Sequence, residues 1–228
     1  MTRRINFNLQ LVDSNGLAII SSGGVAMVCK NALPTKHTIY SDADGTAASN
    51  PIALTRGKVN FWVLQSDLVN DMVDLYIQAP GGHFVVARDI KQSGPNEVIV
   101  GTANPIQQYV IPFDQADFTA AVEKDTGFDL PAANTARVLP DAQGGNLRVT
   151  AIDATETIDV GTATAETGDP DGFISAASIG TLGLVLDNGA LLTTLVGHPS
   201  DGKSIVITTS AGSDTGKGFI YLTMLMLN

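Results

Sequence analysis

Ile5-Asn6-Phe7-Asn8-Leu9-Gln10-Leu11 lies near the start of the chain and alternates apolar with polar side chains. Successive side chains of a β-strand point to opposite faces, so this alternation predicts a strand with one buried face and one solvated face. Asp13-Ser14-Asn15-Gly16 follows and has turn chemistry, because Asn-Gly tolerates positive φ. Leu17 to Ile20 is therefore predicted to pair back as a hairpin.

The same combination of short apolar strands and tight turns continues along the chain. In the first half, Lys58 to Val63 alternates polar with apolar side chains. Pro51 cannot donate to a strand ladder, so the strand that follows it is expected to begin there or to lie at a sheet edge. In the second half, Leu147 to Ala151 alternates, and Asp169-Pro170-Asp171-Gly172 is a strong turn. About eight strands are expected in each half, a spacing typical of sandwiches and jelly rolls.

The 228 residues favour two domains, since a domain usually takes roughly 100–150 residues. We predict an all-β chain of two β-sandwich or jelly-roll-like domains in tandem, residues 1–112 and 113–228, with almost no helix. Residues 106–112 are expected to be a short bridge between them.

Three stretches of the second half carry more specific expectations. Residues 118–124 favour a strand over a helix, and Asp125-Thr126-Gly127 resembles a hairpin turn. Residues 180–186 and 190–196 are expected as two apolar strands on either side of a hairpin turn at 187–189.

The charge balance limits the partners. The formal net charge is −10, and Arg3-Arg4 is the only basic cluster. A nucleic-acid binder needs a basic face that releases counterions, so nucleic acid is not expected as a partner. No apolar run reaches the roughly 18 residues of a membrane span, and the first residues lack the apolar core of a secretory signal. We expect a soluble protein that is made in a cytoplasm.

Candidate reactive residues are few. Cys29, the only cysteine, lies in an apolar run and is expected to be a small buried hydrophobe. The histidines His37, His83 and His198 lack metal-ligand spacing and are expected to be hydrogen-bonded or solvent-facing. No nucleophile elbow, phosphate loop or dinucleotide fingerprint is present, although a Ser-His-Asp triad is set by geometry rather than sequence.

Two loops carry paired carboxylates before glycine, Asp42-Ala43-Asp44-Gly45 and Asp169-Pro170-Asp171-Gly172. Clustered carboxylates suit Ca²⁺, yet neither loop has the downstream glutamate of an EF-hand, so plain Asp-Gly turns are favoured. A glycoside hydrolase would need two carboxyls across a cleft and aromatic residues to stack a sugar, and aromatics make up only 6% of the chain. We therefore predict no enzyme activity, no catalytic residue, no metal and no cofactor.

The order of several motifs resembles virion proteins of tailed bacteriophages. Tyr40 to Gly45, Asn50 to Leu54, Gly57 to Trp62 and Val73 to Tyr76 look like a module of tail-fibre attachment regions and head-fibre proteins. The second half is similar to head-decoration, or capsid cement, proteins, and the resemblance rests on the following stretches: Asp125 to Ala132, Thr157 to Gly161, Asp171 to Phe173, and the strand after Ser213 to Gly216. Together these motifs cover most of the chain.

The resemblance implies a multimeric virion component, often a trimer, and supplies no catalytic residue. We therefore expect a head-decoration protein on the capsid surface, whose partners are the major capsid protein and two further copies of itself. The apolar end of the chain, residues 221–227, would be costly to expose and also favours a homotrimer. The alternatives are a tail-fibre or baseplate protein that binds a host surface glycan and, last, a β-sandwich hydrolase.

The N-terminal domain is expected to anchor the chain to the shell, and the C-terminal domain to project and trimerise. A strand close to a chain end can add to the edge of a neighbour's sheet. The residues predicted to contact the capsid are the basic pair and the apolar side of this strand: Arg3, Arg4, Ile5, Phe7, Leu9 and Leu11. The alternative, weighted equally, is that the strand only closes its own sandwich.

Overall fold

The structure is a computed structural model of the chain. It describes residues 3–13, 15, 17–20, 23–79, 82, 84–92, 97–99, 106–114, 117, 122–140, 146–151, 156–185, 189–192, 197–210 and 215–227. The chain divides into two compact units, residues 1–103 (the N-terminal unit) and residues 104–228 (the C-terminal unit).

The described residues of the N-terminal unit form nine strands in two sheets. The strands are β1 (Arg4–Val12), β2 (Val25–Lys30), β3 (Ile39–Tyr40), β4 (Ala47–Ala48), β5 (Ile52–Ala53), β6 (Lys58–Leu64), β7 (Met72–Gln78), β8 (Phe84–Lys91) and β9 (Glu97–Ile99). One sheet has the order β4-β3-β6-β1-β9 and the other the order β5-β2-β7-β8. Pairing is antiparallel except between β1 and β9, which are parallel.

The core of the N-terminal unit draws on both sheets. Its buried side chains come from the inner faces of β1 and β6 in one sheet and of β2 and β7 in the other. Period-two alternation along β6, where Val59, Phe61 and Val63 are buried and Lys58 and Asn60 are exposed, matches a strand with one solvated face. The unit is thus a β-sandwich, as predicted from the sequence.

The described residues of the C-terminal unit form ten strands, also in two sheets. They are β10 (Ile106–Phe113), β11 (Lys124–Asp129), β12 (Ala136–Leu139), β13 (Leu147–Ala151), β14 (Thr157–Thr162), β15 (Ile174–Ser178), β16 (Gly183–Val185), β17 (His198–Pro199), β18 (Ser204–Thr209) and β19 (Lys217–Met226). One sheet has the order β16-β13-β19-β12-β17, with β10 also paired to β19, and the other has the order β11-β18-β14-β15.

The C-terminal strand β19 is the centre of its sheet. Strand β10 pairs with it from Ile106 opposite Leu225 to Phe113 opposite Gly218, while β12 and β13 share its other side. The expected bridge at residues 106–112 is therefore wrong, because this segment is a full strand of the C-terminal unit. Of the apolar chain end at 221–227, Leu222 and Met224 are buried within the unit itself and so give no support to a trimer, whereas Leu227 is 42% exposed. The homotrimer stays a prediction.

Two local predictions in the C-terminal unit also differ from the structure. Asp125, Thr126 and Gly127 lie inside β11, where the register with β18 shifts between Asp125 and Asp129. Gly127 has φ of 77° and its N–H donates to Asp125 Oδ1 at 2.8 Å, so the turn chemistry makes a β-bulge instead of a hairpin. Ala190–Leu192 is a short 3-10 turn rather than the start of a strand.

Other predictions fall partly on residues that the structure does not describe. They concern residues 118–121, 186–188 and 193–196, which lie outside the described ranges. Helical structure in the described residues is of the 3-10 kind, in the turns Gln65–Asp67, Thr164–Glu166 and Ala190–Leu192 and at Asp117. Within the described residues, no helix has the length and the apolar character needed to cross a membrane.

Candidate functional site

Strand β1 uses its apolar face inside the N-terminal unit. Ile5, Phe7, Leu9 and Leu11 are only 6%, 2%, 4% and 1% exposed, and the Phe7 ring stacks on Phe61 with centroids 5.2 Å apart. Burial of each such side chain stabilises the fold by about 1.5–3 kcal/mol. The strand closes its own sandwich, so a contact between these four side chains and a capsid partner stays a prediction and would require β1 to leave its sheet.

The two residues of the basic pair have different roles. The guanidinium carbon of Arg4 lies 4.6 Å from the centre of the Tyr40 ring, and its Nη1 donates to the Ala43 carbonyl at 2.9 Å. Gly45 makes room for it, because a Cβ at that position would lie 2.1 Å from Arg4 Nη2. Arg4 therefore ties β1 to the loop after β3, whereas the side chain of Arg3 is exposed to solvent.

A cleft of about 280 Å³ opens beside Arg3. We call it the Arg3 cleft, and it is lined by one buried side chain and six exposed polar ones: Ile5, Arg3, Gln65, Asn70, Asp71, Lys91 and Gln92. Within the described residues, neither Arg3 nor Lys91 forms an ion pair or a side-chain hydrogen bond. The cleft is therefore a place where two cations of an acidic chain are available to a partner.

The walls of the Arg3 cleft are held by backbone contacts. The N–H of Gln65 donates to the Arg3 carbonyl at 3.0 Å, which fixes the start of β1. Asn70 and Asp71 both have positive φ, 56° and 57°, in a tight turn closed by the bond from Met72 N–H to the Val69 carbonyl at 3.0 Å. Strand pairing sets Lys91 opposite Met72, so a second sheet completes the cleft.

The first carboxylate loop, Asp42 to Gly45, is a hydrogen-bonded turn. Asp42 Oδ1 accepts the N–H groups of Gly45 at 2.8 Å and Thr46 at 3.0 Å. Hydrogen bonds from Thr46 are the main cause that lowers the pKa of Asp42 to about 2. The Asp42 carboxylate therefore accepts hydrogen bonds from the backbone of its own turn. Across the described residues, no group of three or more His, Cys, Asp or Glu side chains is arranged to hold a metal ion.

The second carboxylate loop lies beside a smaller cleft of about 170 Å³ in the C-terminal unit. A side-chain hydrogen bond with Asp171 is the main cause that raises the pKa of Asp169, and burial and the charge of Asp171 act in the same direction. The turn is tightly packed, because a Cβ on Gly161 would lie 1.9 Å from the Asp169 carbonyl oxygen. His198 and Lys203 also line this cleft, and Lys203 Nζ pairs with Asp201 at 2.8 Å.

His37 departs from the expectation that it is hydrogen-bonded or solvent-facing. It is 3% exposed, and neither ring nitrogen has a hydrogen-bond partner among the described residues. Burial, followed by the positive charge of Lys30, lowers the pKa of His37 to about 4, while Asp67 acts in the opposite direction. His83 lies outside the described residues, and Cys29 is buried as predicted.

Asn50 is a structural residue that the sequence interpretation missed. Its side-chain amide bonds to both backbone groups of Val28 and also donates to the His37 carbonyl at 2.9 Å. The only available signal was its position directly before Pro51, which has no N–H to donate to a strand ladder. The side chain replaces a strand neighbour for β2.

Among the exposed large apolar side chains of the described residues, two pairs lie close together in sequence. In the N-terminal unit these are Leu17 and Ile20, at 66% and 74%, in the segment that folds back after β1. In the C-terminal unit Leu182 and Leu184, at 63% and 62%, flank Gly183 at the start of β16. Strand β16 ends its sheet and pairs only with β13 within the described chain. An edge strand with exposed leucines is a typical protein-contact surface.

Comparisons with known proteins add little. No family model matches the sequence, and no curated protein matches it. Among solved structures, the chain is similar to a variant of BcpA, the major pilin subunit of Bacillus cereus, at 9% identity and a TM-score of 0.22. The match covers 99% of this chain and 60% of the pilin chain. At that score the likeness carries no inference about fold or function.

Proposed function

We propose that this chain is a structural protein of a tailed-phage virion, and specifically a head-decoration protein that binds the assembled capsid lattice and stabilises it. The ordered motifs that resemble decoration and head-fibre proteins support this proposal. In the structure these motifs form framework elements: Lys58–Leu64 and Thr157–Thr162 are strands, and Asp42 to Gly45 is a hydrogen-bonded turn. Framework motifs suit a protein that acts by presenting surfaces.

The observation that carries the proposal is the exposed pair Leu182 and Leu184 beside the edge strand β16. Single exposed apolar residues are ordinary, but two leucines on one sheet edge cost free energy in water, about 1.5–3 kcal/mol for each side chain that a partner would bury. A decoration protein covers such a surface only when the lattice or a second copy is present. Binding that is restricted to the assembled shell stabilises the shell by mass action.

Cryo-electron microscopy of heads assembled without this chain, before and after addition of the purified protein, tests the proposal. Added density at many equivalent lattice positions is the expected result. Density confined to the tail would favour the tail-fibre or baseplate alternative. No added density on heads or tails would contradict a virion role.

The glycan-binding alternative has its own observation and its own test. The small cleft beside the second carboxylate loop is lined by the carboxyls of Asp169 and Asp201 and by His198 and Lys203, which are polar groups of the kind that hold sugar hydroxyls. A glycan array probed with the full chain would detect this activity. Binding that Asp169→Asn abolishes would favour the tail protein over the decoration protein.

A further inference from the structure

The Arg3 cleft has an unusual charge for this molecule. The chain as a whole carries −10, yet the cleft holds two cations, Arg3 and Lys91, against one carboxylate, Asp71. Three side-chain amides, those of Gln65, Asn70 and Gln92, complete its polar lining. Carboxylates accept hydrogen bonds from guanidinium and amide N–H groups, and Arg favours two parallel hydrogen bonds to one carboxylate.

The structure also shows that these cations are available while Arg4 is not. Arg4 is occupied by the Tyr40 ring and the Ala43 carbonyl. The Gln65 N–H donates to the backbone carbonyl of Arg3 and fixes its backbone. This contact leaves the Arg3 side chain available to a ligand. Lys91 comes from the other sheet, at its pairing position opposite Met72. The cleft thus joins two sheets of one sandwich and is preformed in the fold.

We propose that the Arg3 cleft binds a carboxylate side chain on an acidic segment of the capsid protein, an inference that rests on the function proposed above. The strongly negative chain disfavours long polyanions such as nucleic acid, because repulsion grows with the number of phosphates. A single carboxylate entering the cleft meets the local cations at short range. This contact replaces the apolar face of β1 as the route by which the start of the chain meets the shell.

The probe is a glycine octapeptide with blocked termini and one central glutamate, labelled with tetramethylrhodamine, and its neutral counterpart has glutamine in place of the glutamate. The variants are Arg3→Gln with Lys91→Gln in the full chain. The matched control is Arg56→Gln with Lys58→Gln, which removes two exposed charges from the same unit. Lys58 pairs with Gln10, whereas Arg4 pairs with Leu64, so the control lies at the opposite end of β1 and β6.

Fluorescence anisotropy is expected to show binding of the glutamate peptide, weaker binding at higher salt, and much weaker binding of the neutral peptide. Each cleft substitution should weaken binding about two- to fivefold, since exposed charge pairs contribute roughly 0.2–1 kcal/mol. The control pair should change it less than about twofold, because six strand residues separate it from the cleft and exposed charges farther apart than about 10 Å are largely screened. Equal binding of both peptides, or an unchanged affinity in the Arg3→Gln/Lys91→Gln variant, would overturn the proposal.

A second readout separates this inference from the proposed function. The same variants are added to heads assembled without the chain, and occupancy is measured at matched concentration. Reduced occupancy of the cleft variant beside normal occupancy of the control supports both. If the wild-type chain decorates heads and the cleft variant does so equally well, the cleft inference is wrong while the function stands. If the wild-type chain binds the acidic peptide in the cleft but never decorates heads, the decoration function is wrong.

Discussion

The side chain of Asn50 pairs with both backbone groups of Val28: its Nδ2 donates to the Val28 carbonyl at 2.7 Å, and its Oδ1 accepts the Val28 N–H at 3.0 Å. Val28 is fully buried in strand β2. Leaving a buried backbone group without a hydrogen-bond partner costs about 1–3 kcal/mol. The Asn50 side chain therefore supplies hydrogen bonds that a neighbouring strand usually provides.

Replacement of Asn50 by alanine should therefore destabilise the N-terminal unit by about 1–3 kcal/mol, because the Val28 N–H loses its partner. The Val28 carbonyl keeps the His37 N–H, which donates to it at 2.9 Å. Urea unfolding measures this change. Asn60→Ala is the matched control, since Asn60 is exposed and accepts only from Asn6 Nδ2 at 2.8 Å, and a shift within about 0.5 kcal/mol is expected. Equal losses in the two variants would show that the Asn50 pairing contributes nothing special.

The buried His37 should make stability depend on pH. Its pKa is lowered to about 4 in the fold from an ordinary value of 6.5, so between these values the unfolded chain binds a proton that the folded chain excludes. Stability should therefore fall as the pH decreases from about 6.5 to about 4, by up to about 3 kcal/mol, and show no further His37 effect below that.

The measurement for His37 is the urea midpoint against pH, for the wild-type chain and for His37→Phe. Phenylalanine fits a buried site whose ring nitrogens have no partner among the described residues. The variant should lose the decline between pH 6.5 and 4, because the titrating group is gone while the carboxylates remain. Identical profiles for the two chains would place the pH effect elsewhere.

The exposed leucines of the C-terminal unit should govern self-association. A homotrimer, with three times the 23.7 kDa chain mass, is expected by light scattering at micromolar concentration. Leu182→Ser with Leu184→Ser should reduce that mass with a stability change within about 0.5 kcal/mol, since both side chains are already solvated. Leu17→Ser with Ile20→Ser is the control from the other unit. A trimer that persists in the Leu182/Leu184 variant would exclude this edge, and a monomeric wild-type chain would argue against the trimer.

Deletion of residues 1–12 should unfold the N-terminal unit rather than merely remove a contact. Strand β1 lies between β6 and β9, and Phe7 alone contributes about 3–5 kcal/mol when a buried ring is truncated. Hydrogen exchange should show lost protection in β6 and β7 and retained protection in β19. Retained protection in β6 would mean that β1 is dispensable for the sandwich. Because this deletion removes the fold along with any binding site, the Arg3→Gln/Lys91→Gln variant is the cleaner test of capsid contact.

Local patterns in the sequence predicted the all-β class and several strands correctly. Alternation placed Ile5, Phe7, Leu9 and Leu11 on one buried face, and Pro51 placed the following strand at a sheet edge, where β5 lies. The return of the chain after β1 is also confirmed by the bond from Ile19 N–H to the Leu11 carbonyl at 2.9 Å. These features depend on a few neighbouring residues, so a short window contains the information.

The predictions and the structure differ where one local sequence pattern fits two different tertiary structures. Asp125-Thr126-Gly127 has residues that suit a hairpin turn and a β-bulge alike, and pairing with β18 decides for the bulge. Residues 106–112 became a strand because β19 offers an edge more than a hundred residues away in sequence. Neither outcome is visible without the partner strand.

The sequence by itself determined the strand class, the core face of β1 and the acidic character of the molecule, because composition and period-two alternation are local properties of the chain. Only the tertiary structure decided that Arg4 packs on the Tyr40 ring while Arg3 is exposed. It also decided that Asn50 hydrogen-bonds to the backbone of β2 and that Lys91 and Arg3 line one cleft. Strand pairing brings together residues from distant parts of the chain. That proximity, and hence the candidate site, is a property of register and sheet order rather than of any single stretch.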